Sequence, residues 1–263
     1  MTQAKSGVPI RINHVAKIFG EDTDNPFRAL KEVTVDIEPG EFVSVVGPSG
    51  CGKSTLMLMV AGLLERSRGD ILIAGQPVTK PITDVGIAFQ DHLLLEFRTA
   101  LANILLQHKI RGLPMDAGRR DAMALMEKLG IAHAADRYPH ELSGGMRQRV
   151  SIARALIHRP SVLLMDEPFG ALDAITRTQI RHDLEMLWLE TRKTVLFITH
   201  SVDEAVGLSD RVLVMSPSPG RIVEEIRIDL PRPRPAHLGE YPTFNEYAER
   251  IHAAFRRFGV IKY

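Results

Sequence analysis

In the run Gly47-Pro48-Ser49-Gly50-Cys51-Gly52-Lys53-Ser54-Thr55, the first eight residues match the spacing G-x-x-x-x-G-K-[ST], and Thr55 follows with a second hydroxyl. Small residues in that run let successive backbone N–H groups curl around phosphate oxygens, and a helix starting there aims its positive end at the same anion. Lys53 would reach the β- and γ-phosphates of a nucleotide, and the Ser54 hydroxyl would ligate Mg2+. The other half of such a site is an acidic group ending an apolar strand, which Val162-Leu163-Leu164-Met165-Asp166-Glu167 supplies. Asp166 is suited to orienting Mg2+ through its water shell, and Glu167 to polarising an attacking water. Alone, an acidic strand end is also what a solvated turn looks like. With the glycine loop in the same chain, both segments are expected at the carboxyl edge of one parallel sheet, where open α/β folds bind ligands.

A third segment, Leu142-Ser143-Gly144-Gly145-Met146, opens a helical pattern. Ser143 is an N-cap residue with a hydroxyl to offer, and Gly144 and Gly145 would expose backbone N–H groups at the helix start, a second anion site. Cys51 stands at the first helix terminus, which favours thiolate, whereas burial would oppose it. The expected role of Cys51 is that of a small packing residue. Arg147, Arg149, Arg154 and Arg159 read as a solvated or packing helix face rather than a nucleic-acid patch.

These groups need a frame. Alternation at Leu30, Val33, Val35 and Ile37, then Pro39-Gly40, then residues 42–46 read as two strands joined by a tight turn, the second buried on both faces. Residues 56–64 carry strong helix formers after the glycine loop. Further strands are expected at 70–74, 84–89, 162–165, 194–199, 211–215 and 221–228. Helices are expected at 99–109, 116–129, 143–158, 173–190, 202–208 and 243–255. Strands alternating with helices in the second half imply a mainly parallel sheet with crossovers. Residues 91–159 read as a helical insert in an α/β core. Pro231, Pro233 and Pro235 break regular structure and begin a C-terminal extension.

Composition narrows the function classes. The chain has 263 residues, 33 Lys+Arg against 32 Asp+Glu, and 44% hydrophobic residues, which excludes disordered and fibrous architectures. A net charge of +1 argues against a dedicated nucleic-acid binder. The longest nearly apolar stretch, residues 56–64, falls far short of the roughly 18–20 residues that cross a bilayer. Residues 1–8 contain no apolar core of a secretory signal. A single cysteine fits a reducing compartment, with the cytosol as first expectation.

Leu142-Ser143-Gly144-Gly145-Met146, followed by Arg147-Gln148-Arg149, resembles the signature motif of the ATP-binding cassette (ABC) transporter ATPases, LSGGQ, with Met146 in its last place. Other positions then match by resemblance. Gln90 looks like the Q-loop glutamine, an oxygen ligand for Mg2+ that also senses the attacking water. Ala171-Leu172-Asp173 looks like the D-loop, and His200 like the switch histidine that contacts the γ-phosphate. Phe19 most resembles the aromatic that stacks on adenine, with Phe27 second. The resemblance covers about residues 10–228. The glycine loop, residues 142–149 and the proline-rich 230–235 look most like importer ATPases of the nitrate/sulfonate/taurine group. The loop after Gln90 reads Asp91-His92-Leu93-Leu94-Leu95-Glu96-Phe97-Arg98, where many relatives carry a Pro-Trp or Asp-Trp pair.

The resemblance implies an α/β P-loop NTPase (RecA-like) core with an antiparallel β subdomain and an inserted helical subdomain. It implies an ABC ATPase domain over 1–230, with core 1–90 and 160–230 and insert about 91–159, then a short extension over 231–263. The catalytic set would be Glu167, His200, Gln90 and Lys53. The nucleotide set would be Phe19 with Gly47 to Thr55, the metal set Ser54, Gln90 and Asp166, and the cofactors ATP and Mg2+. The family geometry keeps one chain's glycine loop and signature apart, so two subunits, expected to be identical, would pair head to tail. Leu142, Ser143, Gly144, Gly145 and Met146 of one would then cover ATP on the other. Membrane permease subunits would be direct partners at the cytoplasmic face of the membrane, a solute-binding protein an indirect one, and nucleic acid none. A soluble ABC ATPase switching in repair or translation is the alternative, but those relatives commonly carry paired cassettes or long inserted arms, which do not appear here. A P-loop GTPase is disfavoured because no Asn in the chain is followed by Lys.

Overall fold

A computed structural model describes residues 7–235, 239, 241–258 and 260; the remainder of the expected ranges 1–230 and 231–263 lies outside the described residues. β1 (Ile10–Phe19) pairs antiparallel with β2 (Phe27–Ile37). The chain then turns at Pro39-Gly40, with Glu41 N donating to Glu38 O, into β3 (Phe42–Val46). The glycine loop leads into α1 (Lys53–Val60), followed by β4 (Arg68–Ile73), the two-residue β5 (Gln76–Pro77) and β6 (Val85–Ala88). The helices α2 (Ala100–Ile104), α3 (Leu106–Arg111), α4 (Met115–Lys128) and α5 (Gly144–Leu156) come next. The chain then alternates through β7 (Val162–Asp166), α6 (Ala174–Thr191), β8 (Thr194–Thr199), α7 (Val202–Leu208) and β9 (Arg211–Met215), and ends in β10 (Ile222–Arg227) and α8 (Pro242–Arg257).

Two sheets result. One runs β10-β9-β3-β8-β7-β6, parallel throughout except at the antiparallel β10 edge; the other runs β2-β1-β4-β5, wholly antiparallel. β3 and β8 are buried at every position, as strands covered on both faces must be. Alternate residues serve opposite cores. Val43, Val45, Leu164 and Ile198 pack with Leu56, Met57 and Val60 of α1 and with the antiparallel sheet, while Phe42, Leu163, Met165 and Phe197 pack with Ile180, Leu184 and Trp188 of α6. Leu101, Ile104, Met126 and Val150 form a separate core among the helices that precede β7. Because β3, β8, β7 and β6 run parallel to one another, their carboxyl ends share one sheet edge and deliver the glycine loop, Gln90, Asp166-Glu167 and His200 there.

Four details differ from the sequence pattern. The strands on either side of Pro39-Gly40 belong to different sheets and do not pair with each other. β1 escapes a period-two reading because its register shifts after Ile12, where His14 has φ 48°, so Ile10, Ile12 and Val15 face inward out of phase. α1 starts at Lys53 rather than residue 56 and stops before Gly62, whose φ of 71° no helix continues. The helix expected over 99–109 is divided at Leu105 into α2 and α3.

The proline-rich segment after β10 has no regular structure, yet it is tied down. Arg232 Nη1 donates to Glu185 Oε1 and Nη2 to Asp210 Oδ1, each at 2.9 Å, and the guanidinium lies 4.3 Å over the Trp188 ring. Arg234 N donates to Glu185 Oε2 at 3.0 Å and its Nη1 to Val206 O at 2.6 Å. Burial lowers the Arg234 pKa to about 10, so the guanidinium stays charged at neutral pH.

Candidate functional site

The loop after β3 is shaped by glycine. Gly52 has φ 100°, and a Cβ there would lie 2.6 Å from Leu30 Cδ2, so any other residue meets both backbone strain and a clash. The helix it opens has no side-chain cap and no acidic residue in its first turn, which leaves its N–H groups for an anion. Lys53 is 5% exposed and arches back over the loop, its Nζ donating to Gly47 O and Pro48 O at 3.0 Å each. Cys51 is buried, and burial raises its thiol pKa despite the opposing Lys53 charge, so desolvation outweighs the helix end.

Gly220 supports this loop from below, and no sequence motif pointed to it. Its N donates to Ala29 O and its O accepts from Lys31 N, bridging it to β2, and a Cβ on it would stand 1.9 Å from Cys51 O. Replacing Gly220 with Ala must therefore displace the Cys51 peptide. We expect a loss of about 1–3 kcal/mol in unfolding free energy, the range for overpacking, together with weaker ATP binding. Denaturant titration and equilibrium nucleotide binding would check both; wild-type values in both would remove Gly220 from this role.

Asp166 ends β7 beside the loop. Burial pushes its carboxyl pKa up, the neighbouring Glu167 charge adds to the rise, and the Ser54 hydroxyl and Lys53 ammonium oppose it. Glu167 has φ 43°, a left-handed conformation that costs a non-glycine residue about 1–3 kcal/mol. It is held by its N donating to Ile198 O at 2.8 Å and its O accepting from Gly170 N at 3.1 Å. That backbone sets the Glu167 carboxylate between two groups: Oε1 is 3.9 Å from Lys53 Nζ, and Oε2 is 3.0 Å from His200 Nδ1. Gly170 lies under the cluster, where a Cβ would be 3.9 Å from Gln90 Nε2 and 4.0 Å from His200 Cε1. Lys53, Glu167, His200 and Gln90 thus converge. The oxygens of Ser54, Asp166 and Gln90 are the hard donors that Mg2+ takes.

The signature residues are placed elsewhere. Ser143 caps α5 by accepting from Met146 N at 3.2 Å; Leu142 is buried, and Ser143 is exposed. α5 packs on α2, α4, α6 and β6, whereas α1 packs on β2, β7 and β8. Asp173 caps α6 by accepting from Thr176 N at 3.0 Å, a bond that lowers its carboxyl pKa, and Ala171 beside it is exposed while Leu172 is buried. Phe19 and Phe27 are directly opposed across β1 and β2 and both are exposed, with the Lys17 ammonium 5.0 Å over the Phe19 ring. The four arginines of the α5 region are ties: Arg147 to Pro139 O, Arg149 to Asp183, Arg154 to His92 O and Leu93 O, and Arg159 to Asp121. An apolar cavity of about 500 Å3 lined by Leu125, Leu156, Leu184 and Trp188 contains none of the convergent residues.

A parallel sheet whose carboxyl edge carries this glycine loop, buried lysine and acidic pair defines a P-loop nucleotide-binding protein. Residues 30–170 match the family model described as ABC transporter. An uncharacterized ABC transporter ATP-binding protein of Methanocaldococcus jannaschii is 43% identical over 244 residues, 93% of this chain and 90% of that protein. The taurine import ATP-binding protein TauB of Rhizobium johnstonii is 42% identical over 250 residues, 93% of this chain and 95% of that protein. The nitrate import ATP-binding protein NrtC of Synechococcus elongatus is 44% identical over 230 residues, 86% of this chain and 35% of that protein. A dimeric ATP-binding cassette solved in a post-hydrolysis state with ADP and Pi superposes with a TM-score of 0.75 at 30% identity, over 84% of this chain and 99% of that one. The chain belongs to the ABC transporter family and is one of its ATP-binding, ATP-hydrolysing subunits.

Proposed function

We propose that this cassette powers solute import through separate membrane permease subunits, in the manner of the nitrate, sulfonate and taurine systems. The convergence of Lys53, Glu167 and His200 at the sheet edge carries the ATPase part of the reading, and the import names of full-length relatives carry the direction of transport. No helix among the described residues is long and apolar enough to cross a membrane, and the permease subunits would hold the chain at the cytoplasmic face. Residues 1–230 are assigned to the ATPase domain, with core 1–90 and 160–230 and a helical insert over about 91–159. The extension over 231–263 begins with the Arg232 and Arg234 ties.

In the proposed reaction, Gly47 to Thr55 cradle the ATP phosphates, Phe19 offers a face to adenine, and Lys53 neutralises the charge that develops on the β–γ bridging oxygen. Glu167 accepts a proton from the water that attacks the γ-phosphorus, the bond to the bridging oxygen breaks, and ADP and phosphate leave. His200 and Gln90 hold that water in line. Ser54, Gln90 and Asp166 would hold Mg2+, whose charge would neutralise phosphate oxygens. The dimeric ATP-binding cassette among the similar structures supports a paired arrangement, in which Leu142 to Met146 would serve a second, identical subunit placed head to tail, with Ala171, Leu172 and Asp173 at the seam. A γ-phosphate touched by both chains favours the closed pair, and its loss on hydrolysis removes that preference.

Affinity isolation of the chain from detergent-solubilised native membranes, with partners identified by mass spectrometry and ATP hydrolysis assayed in the eluate, tests the import reading. A stoichiometric multi-span partner is expected. Recovery only from the soluble fraction, with ribosomal or DNA-bound partners, would replace it with the switching reading.

A further inference from the structure

Leu172 is buried between the exposed Ala171 and Asp173, and its carbonyl accepts from Arg177 Nη2 at 2.9 Å. The same guanidinium reaches α7, with Nε 3.7 Å from Glu204 Oε1. The second carboxylate oxygen, Oε2, accepts from Thr199 Oγ1 at 2.5 Å, and that hydroxyl oxygen accepts from Ser201 N at 2.9 Å. Thr199 and Ser201 flank His200, whose Nδ1 meets Glu167. Glu204 is 5% exposed, and a carboxylate so buried is tolerated only where charge and hydrogen bonds satisfy it. Burial raises its pKa, and the Thr199 hydroxyl and the Arg177 charge oppose that rise. Neither residue belongs to the motifs that mark the ATP site in the sequence.

The geometry points to Arg177 and Glu204 as a positioning pair that locks the backbone carrying His200 to the loop at Leu172, so that displacement of this loop is transmitted to the group facing Glu167. Pulling the Leu172 carbonyl away costs the Arg177 bond, and a withdrawn Arg177 leaves Glu204 a buried charge with less compensation. The carboxylate then relaxes against Thr199, one residue from His200. Both residues act on hydrolysis through His200 and touch no substrate. The inference rests on the assignment of His200 and Glu167 to the hydrolytic site.

The test is a double-mutant cycle on the full chain: Arg177→Gln, Glu204→Gln and the pair, with kcat and KM for ATP measured alongside Tm. Each single change is expected to lower kcat by about ten-fold with KM changed by less than about two-fold, and the double variant should be no worse than the weaker single one. Arg177→Lys, which keeps the charge facing Glu204 while losing the fork, should recover part of the loss. In a His200→Ala background, Arg177→Gln should change kcat no further. Losses that multiply in the double variant, or a fall in Tm with unchanged kcat, would overturn the coupling. Wild-type kcat in His200→Ala alone would instead overturn the assignment of His200, which separates the two failures.

Discussion

Glu167→Gln should lower ATP turnover by about 10²–10⁴-fold, the usual contribution of a positioned base, while leaving ATP affinity within about two-fold. The amide has the shape of the carboxylate, and it keeps an oxygen for His200 Nδ1, now 3.0 Å from Glu167 Oε2. What it lacks is a site for the proton of the attacking water. Lys53 also loses a negative neighbour 3.9 Å away, which frees its charge for phosphate and favours binding if it changes it at all. ATP should therefore persist on the variant, and size-exclusion chromatography with ATP should show a lasting dimer where the wild-type chain shows a transient one. Single-turnover hydrolysis with equilibrium nucleotide binding separates the two effects. Near-normal turnover would take Glu167 out of the reaction and leave its strained backbone without a purpose.

Much of this site was legible because phosphate chemistry is written locally. Gly47 to Thr55 and Asp166-Glu167 are contiguous runs, each behind a strand buried enough to read as apolar. What brings them together is the order of strands, with β3 inserted between β8 and β9, and that follows from crossovers rather than from any residue. β1 was hidden by its bulge, where side chains change phase, and the division at Leu105 leaves no mark in the apolar pattern. Gly220 was invisible for another reason. Its importance is a distance to Cys51 O across the fold, and a glycine in a loop near Pro219 looks like any turn. Arg177 and Glu204 likewise sit at ordinary helical positions, and only the packing of α6 against α7 makes them neighbours. Phe19 and Phe27, the first and second choices for an aromatic to stack on adenine, are cross-strand partners on one exposed patch, so the resemblance and not the pairing orders them.

Lys53→Met should show the opposite signature, loss of binding ahead of chemistry. The methionine stem fills the channel that the lysine stem occupies, so packing of the 5% exposed side chain is largely kept while the ammonium is removed. Two consequences follow from its bonds. Gly47 O and Pro48 O each lose a donor at 3.0 Å, and leaving a buried acceptor unmade costs about 1–3 kcal/mol, so a lower Tm is expected. A nucleotide loses its cationic donor as well. Charge-assisted hydrogen bonds contribute about 1.5–3 kcal/mol each, so two lost phosphate contacts weaken ATP binding by at least about a hundred-fold. ADP, which lacks the γ-phosphate, should lose less than ATP, and adenosine should lose least. Isothermal titration of the three ligands against wild-type and variant chains reads this gradient directly. An equal loss for all three would mean that the substitution had collapsed the loop. A loss that grows with phosphate number would place the Lys53 ammonium where the loop geometry directs it, against the phosphate chain and beside the Glu167 carboxylate.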